Sequence, residues 1–224
     1  MFLSNLFFSK KRLLVVTAIL GAATAALGAK AGFPDPSTNP APAVKGMATA
    51  VLAGGCFWGT EGVFEHVKGV KEVYTGYTGG AQKDAVYEVV STGRTGHAES
   101  VKITYDPAQV SYGQLLKIFF SVAHDPTQLD HQGNDWGTQY RSAIFYSNDE
   151  QKKVAENYVK QLNDAKVYKS KIVTKIVPLA AFYNAEPEHQ DFVKRNPTQG
   201  YVVMAELPKI RDLKNTYPEV WKEW

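Results

Sequence analysis

The stretch Gly54-Gly55-Cys56-Phe57-Trp58-Gly59 does most to limit what this chain can fold into, because a strand pattern gives way to a helix pattern across it. Ahead of it, Ala48-Thr49-Ala50-Val51-Leu52-Ala53 is short and mostly apolar, as a buried strand is. Behind it, Glu61, Phe64, Glu65 and Val67 suit the start of an amphipathic helix. Two glycines let the backbone turn sharply between them. Cys56, the single cysteine of the sequence, therefore falls beside the first unpaired amides of a helix. Their partial positive charge is expected to stabilise a thiolate and lower the thiol pKa. A lone thiol is nevertheless more often a buried structural residue than a nucleophile, so its neighbours have to decide.

The remaining elements follow in mixed order. Val70 to Tyr77 reads as a second strand ending in the turn Gly76-Tyr77-Thr78-Gly79-Gly80, and Glu99 to Tyr105 as a third, with Ser100, Lys102 and Thr104 alternating with Val101, Ile103 and Tyr105. Ser111-Tyr112-Gly113-Gln114 opens a helix with a Ser-x-x-Gln capping pattern. Tyr140 to Tyr146 is predicted as a strand, Ser147-Asn148-Asp149-Glu150 as the start of a helix running to about Leu162, and Lys171 to Val177 as a last strand before Pro178. Glu186-Pro187-Glu188 opens a short helix. This order implies an α+β fold, with helices packed on a largely antiparallel or mixed sheet.

Residues 1–31 have the layout of a signal peptide: Lys10, Lys11 and Arg12, an uncharged run from Leu13 to Leu27, and small residues around Gly28 to Ala31. Cleavage is expected after Gly28 or Ala31; an uncleaved membrane anchor is the alternative, for which the run is short. An exported protein, periplasmic or secreted, follows from this reading. The formal charge of +3 includes four basic residues of that segment, and without them 21 basic residues face 22 acidic ones. The basicity belongs to the leader, so no nucleic-acid partner is inferred. Residues 32–46, with Pro34, Pro36, Pro40 and Pro42, read as a flexible or extended linker, and 47–224 as the domain proper.

Several chemistries are excluded by what is missing. With one cysteine there is neither a Cys-x-x-Cys redox pair nor a disulfide scaffold. The five histidines form no zinc pattern, and the glycine turns match no phosphate loop or dinucleotide fingerprint. What remains is one thiol among polar loops: Thr95-Gly96-His97-Ala98-Glu99, Asp125-Pro126, and Gly133-Asn134-Asp135-Trp136-Gly137-Thr138-Gln139-Tyr140-Arg141. Residues alone leave three classes open. One is a thiol-based reductase. Another is a cysteine hydrolase or acyltransferase using His97, His124, His131 or His189 as base. The third is a non-catalytic thiol sensor or peptide-binding module.

Taken together, these segments resemble the A-type peptide-methionine sulfoxide reductases, which act on the S epimer. The resemblance rests on Gly55-Cys56-Phe57-Trp58-Gly59, Gly76-Tyr77-Thr78-Gly79-Gly80, Tyr87 ahead of Thr95-Gly96-His97-Ala98-Glu99, His124-Asp125-Pro126-Thr127, Gln132 through Ser142, and Glu188-His189-Gln190-Asp191-Phe192. It implies a two-layer α/β sandwich of ferredoxin-like type, with the active site at the start of the first helix. Cys56 would attack the sulfoxide sulfur, whose oxygen must gain protons to leave as part of water, so an acid must lie within hydrogen-bond reach. Glu99 matches the family's proton donor, which can serve near neutral pH only if burial raises its pKa. Tyr87 and Tyr140 match the phenols that hold the sulfoxide oxygen, Asp135 a further polar residue there, and Phe57 and Trp58 an apolar wall for the substrate methyl group.

The resemblance implies free and protein-bound methionine sulfoxide as substrates, no cofactor or metal, and a Cys56 sulfenic acid as product. Many relatives resolve that acid with further cysteines, commonly in the C-terminal tail; Lys209 to Trp224 has none. The reductant is therefore expected to be external: a thioredoxin-like, glutaredoxin-like or membrane-linked thiol donor. A monomer is expected, and the tail, with Trp221 and Trp224, is expected to pack back on the domain.

Overall fold

The computed structural model describes residues 32–40 and 46–224. The signal-peptide reading lies outside the described residues. Strand β1 (Ala48–Ala53) leads through the Cys56 junction into helix α1 (Phe57–Glu65), followed by β2 (Val70–Thr78), the short helix α2 (Tyr87–Val90) and β3 (Ala98–Tyr105). Helix α3 (Tyr112–Ile118) widens into a π-helical stretch, Phe119–Ala123. A small hairpin, β4 (His131–Gln132) and β5 (Asp135–Trp136), precedes β6 (Ala143–Tyr146), helix α4 (Asp149–Asp164), β7 (Lys175–Pro178) and β8 (Tyr183–Asn184). Helices α5 (Phe192–Arg195) and α6 (Leu207–Thr216) follow, the latter after a π turn at Val202–Glu206.

β1 lies inside the sheet, antiparallel to β3 on one side and to β6 on the other. β2 is antiparallel to β3 and to β8, while β7 runs parallel to β6, so the order is β7-β6-β1-β3-β2-β8. The α+β expectation therefore holds as a mixed, mostly antiparallel six-stranded sheet with packed helices. The two-residue alternation of a strand sorts β1 between two faces. Ala50 and Leu52 join the main core with Val63 and Phe64 of α1, Leu115 and Leu116 of α3, Val154, Tyr158 and Leu162 of α4, and Ile210 and Leu213 of α6. Val51 and Ala53 enter a smaller cluster with Ala98, Ala143 and Phe145. Each large side chain buried in this way stabilises the fold by about 1.5–3 kcal/mol.

Local chemistry explains the boundaries. The Ser111 hydroxyl accepts from the Gln114 N–H (3.1 Å) while the Gln114 side chain accepts from the Ser111 N–H (2.8 Å), completing the capping box. The strand expected from Tyr140 starts only at Ala143, because Thr138–Tyr140 forms a 3-10 turn. The last predicted strand contracts to Lys175–Pro178; β7 is an edge strand, where a proline costs no central ladder bond. β8 escapes a periodicity reading because it is two residues long.

The stretch read as a flexible or extended linker is extended but docked where it is described. Phe33 is buried with its ring edge-on to Tyr168, the Tyr158 hydroxyl donates to the Pro34 carbonyl (2.7 Å), and Lys117 pairs with Asp35 (2.7 Å). The tail packs back as expected, with Trp221 stacked on His66 at 4.1 Å and the Lys68 N–H donating to the Val220 carbonyl (2.7 Å).

Candidate active site

Cys56 is the N-cap of α1, placed there by a sharp exit from β1. Gly55 takes φ +87°, where a side chain would be strained, and the Gln132 side chain fills the space that a Cβ would need. Gly54 has a different reason: a Cβ there would meet the Phe119 and His124 rings at under 3 Å. Only one of the two glycines thus serves the turn, and the other lets the π-helical end of α3 pack against it.

Glu99 stands near the start of β3, one strand position from Ala98 and in phase with Val101 and Ile103 of the main core, opposite Tyr77 of β2. That phase aims it at the N-terminus of α1, where its Oε2 accepts the Phe57 N–H at 3.1 Å. It is 2% exposed, and burial, with smaller contributions from Asp135 and Glu206, raises its carboxyl to about 8 against the bond from Phe57, which lowers it. A carboxyl in this state keeps its proton at neutral pH and can donate it.

The thiol departs from the sequence expectation of a lowered pKa. Cys56 is 6% exposed, and burial, then Glu206 and Glu99, push it well above its ordinary value. Lys209 and a hydrogen bond from the Trp58 backbone act the other way and are outweighed. The helix terminus is present, but Glu99 takes the Phe57 amide, so the sulfur receives only part of its stabilisation.

The other predicted residues converge from separate elements. Tyr87 begins α2, with its N–H bonded to Glu186 (2.9 Å) and its ring 4.2 Å from that of His189. Tyr140 closes the 3-10 turn that Arg141 anchors, through guanidinium bonds to the carbonyls of Gly96 (2.8 Å), His97 (2.9 Å) and Thr138 (2.8 Å). That clamp ties the loop before Glu99 to the one carrying Tyr140. Both phenols are raised by burial, and then by Glu99, Cys56 and Asp135 in turn, which places all five groups in one electrostatic neighbourhood. Asp135, in the β4–β5 hairpin, accepts the Tyr201 hydroxyl at 2.5 Å. Phe57 is 1% exposed, packed on Tyr77 and His189, whereas Trp58 is half-buried, stacked on Phe192 at 3.7 Å and donating to His189 Nδ1 (3.2 Å).

The histidines offered as an alternative base are engaged elsewhere. His97 bonds Gly80 and Ala81, His131 bonds Leu129, and His189 bonds Trp58. His124 bonds Phe119 and Ser142, and burial holds it neutral at about 4. Three residues near the thiol were missed by the sequence reading: Tyr201, Glu206 and Lys209, from the π turn and α6. Their one sequence signal is the Gly59-x-x-Gly62 spacing in α1, which clears room for Glu206 and Ile210. Among the described residues no group of three or more His, Cys, Asp or Glu could hold a metal ion.

The family model described as peptide methionine sulfoxide reductase matches residues 48–220. A peptide methionine sulfoxide reductase MsrA 2 of Mesorhizobium japonicum is 59% identical over 181 residues, covering 81% of this chain and 93% of its own. The protein of the same name from Synechocystis is 53% identical, covering 85% and 90%. Solved structures are similar as well. Mxr1 of Saccharomyces cerevisiae in reduced form has a TM-score of 0.62 at 33% identity, covering 74% of this chain and 93% of that one. Methionine sulfoxide reductase A of Corynebacterium diphtheriae has 0.60 at 38%, covering 69% and 77%.

Proposed function

This chain belongs to the peptide methionine sulfoxide reductase family and is an oxidoreductase that reduces methionine sulfoxide; we propose that it acts on the S epimer, free or protein-bound, through Cys56. The observation that carries the mechanism is the buried Glu99 carboxyl, held protonated at neutral pH beside the only thiol of the sequence. Tyr87 and Tyr140 hold the sulfoxide oxygen by hydrogen bonds, and Asp135 orders that polar side of the site. Trp58 offers an apolar face to the substrate methyl group, and Phe57 forms the buried floor behind it.

Cys56 sulfur attacks the sulfoxide sulfur while Glu99 protonates its oxygen. The attack forms an S–S bond between Cys56 and the substrate, and the protonated oxygen leaves the substrate sulfur as water. Water then attacks the Cys56 sulfur, the S–S bond breaks with its electron pair on the methionine sulfur, methionine leaves, and Cys56 is left as a sulfenic acid. The substrate sulfur is reduced by two electrons and the cysteine sulfur oxidised by two. The thiol proton is carried over to the site, which returns Glu99 to its acid form. An external thiol then attacks the sulfenic sulfur and releases water, and a second thiol frees Cys56 from the mixed disulfide. Because the sequence holds one cysteine, the donor is an external thioredoxin-like, glutaredoxin-like or membrane-linked dithiol. The leader pattern of residues 1–31 supports an exported enzyme. The element order β1-α1-β2-β3-α3-β6, with strand order β6-β1-β3-β2, supports a ferredoxin-like plan.

The test uses separated epimers of a methionine sulfoxide peptide with dithiothreitol, beside a Cys56→Ser control. Multiple turnovers on the S epimer alone, abolished in the control, are expected. Methionine released from the R epimer, or by the control, would overturn the reading.

A further inference from the structure

Glu206 is fully buried, and its Oε2 accepts from Lys209 Nζ at 2.7 Å. Its carboxylate occupies the space over Gly59, one turn into α1, where a Cβ would lie 1.6 Å from Oε2. The π turn Val202–Glu206 delivers it there, and such turns recur at functional sites. Its Oε1 has no hydrogen-bond partner. A buried ion pair adds little net stability, because desolvation offsets the attraction, and an orphaned carboxylate oxygen adds a further cost. The pair therefore calls for a reason other than holding α6 to α1.

The groups facing the thiol supply that reason. Glu99 of β3, Tyr87 of α2, Tyr140, Asp135 of β5 and Tyr201 share its neighbourhood. Among the charged groups Glu206 bears on the sulfur most strongly, ahead of Glu99, while Lys209 opposes it from the same helix. Glu99 is already engaged with the Phe57 N–H, whereas Glu206 is held against the first turn of α1 by its ion pair with Lys209.

We propose that Glu206, held in the Gly59 notch by Lys209, is a positioning residue that keeps Cys56 a neutral thiol in the free enzyme and so shields it from peroxide until a sulfoxide is bound. A thiolate attacks a peroxide oxygen, the O–O bond breaks, sulfur is oxidised to the sulfenic acid and the peroxide is reduced to water or alcohol. That reaction consumes the nucleophile without repairing a substrate. The thiol is far less reactive, and the Glu206 carboxyl group beside it acts against the thiolate. The inference rests on Cys56 being the reactive thiol of the proposed function.

Alkylation of Cys56 by iodoacetamide across a pH series, read by mass spectrometry on the full chain, tests it without any sulfoxide, so its failure is separable from failure of the reductase reading. In Glu206→Gln the alkylation midpoint should move to lower pH, with roughly tenfold more thiolate at a pH below both midpoints. Peroxide should inactivate this variant faster by a similar factor. The double variant Glu206→Gln with Lys209→Gln, which removes the opposing cation too, should fall between that midpoint and the wild type. A purely structural pair would change the melting temperature and leave the midpoint in place. A Glu206→Gln midpoint at or above the wild-type value overturns the proposal. Should that variant fold poorly, the double variant decides by the same criterion.

Discussion

Replacing Glu99 with Gln isolates the proton that the proposed reaction needs. The amide oxygen can still accept the Phe57 N–H, now 3.1 Å from Glu99 Oε2, and the side-chain volume is kept, so the floor of the site is retained. What is lost is a carboxyl that burial holds at about 8, roughly nine-tenths protonated at pH 7. Removing a positioned general acid should slow methionine release by about 10²–10⁴-fold. The pH dependence is a sharper signature. At neutral pH the free enzyme holds protons on both Glu99 and Cys56, whereas the proposed reacting form, acid plus thiolate, has lost one of the two. The kcat/KM profile should therefore rise with pH and level off near the Glu99 value of about 8, as a property of the coupled pair. In Glu99→Gln that limb should vanish and the rise should shift to the higher pH at which the thiol itself ionises. Rapid-quench single turnovers on the S epimer without reductant, from about pH 6 to 10, measure the first step alone. A Gln variant within a few-fold of wild type, or one that keeps the limb near 8, would refute the assignment of Glu99 as acid.

Two further outcomes concern the scaffold around the site. Gly59→Ala should destabilise the protein by about 1–3 kcal/mol in urea unfolding, because its Cβ would collide with Glu206, even though alanine is the better helix former by about 1 kcal/mol. In a Glu206→Ala background the same substitution should be neutral or stabilising, and a neutral Gly59→Ala in the wild-type background would contradict the notch. Glu61 and Glu99 are each raised by burial to about 8 from an ordinary 4.5, so the folded state binds more protons than the unfolded one between those values. Stability should then fall as pH rises through that window, by up to about 1.4 kcal/mol per pH unit for each carboxyl, and Glu61→Gln should remove one share of the slope. Urea midpoints at a series of pH values check this, and an unchanged slope in Glu61→Gln would count against it.

Much of the site was legible because it is built from local pattern. An apolar run, a pair of glycines and an amphipathic start place Cys56 at a strand–helix junction, and the capping pattern at Ser111 places α3; each depends on residues within one turn of one another. The motif series also pointed to Glu99, Tyr87, Tyr140 and Asp135 as companions of the thiol, although they lie on four separate elements. Less legible were features made by contact between distant segments. The docking of residues 33–39 depends on partners from α3 and α4, and β8 exists only because β2 offers it an edge.

The sequence by itself placed Cys56 at a strand–helix junction and set the order of the longer strands and helices, since spacing and residue type carry that information, while the family resemblance singled out Glu99. Only the tertiary structure decided the state of the thiol. A helix terminus lowers a cysteine's pKa, but how far a sulfur is desolvated and which carboxylates stand beside it depend on how β3 and α6 close around α1. Here the loss of water and the approach of Glu206 and Glu99 outweigh the helix, because charge is costly to hold in a site that solvent does not reach.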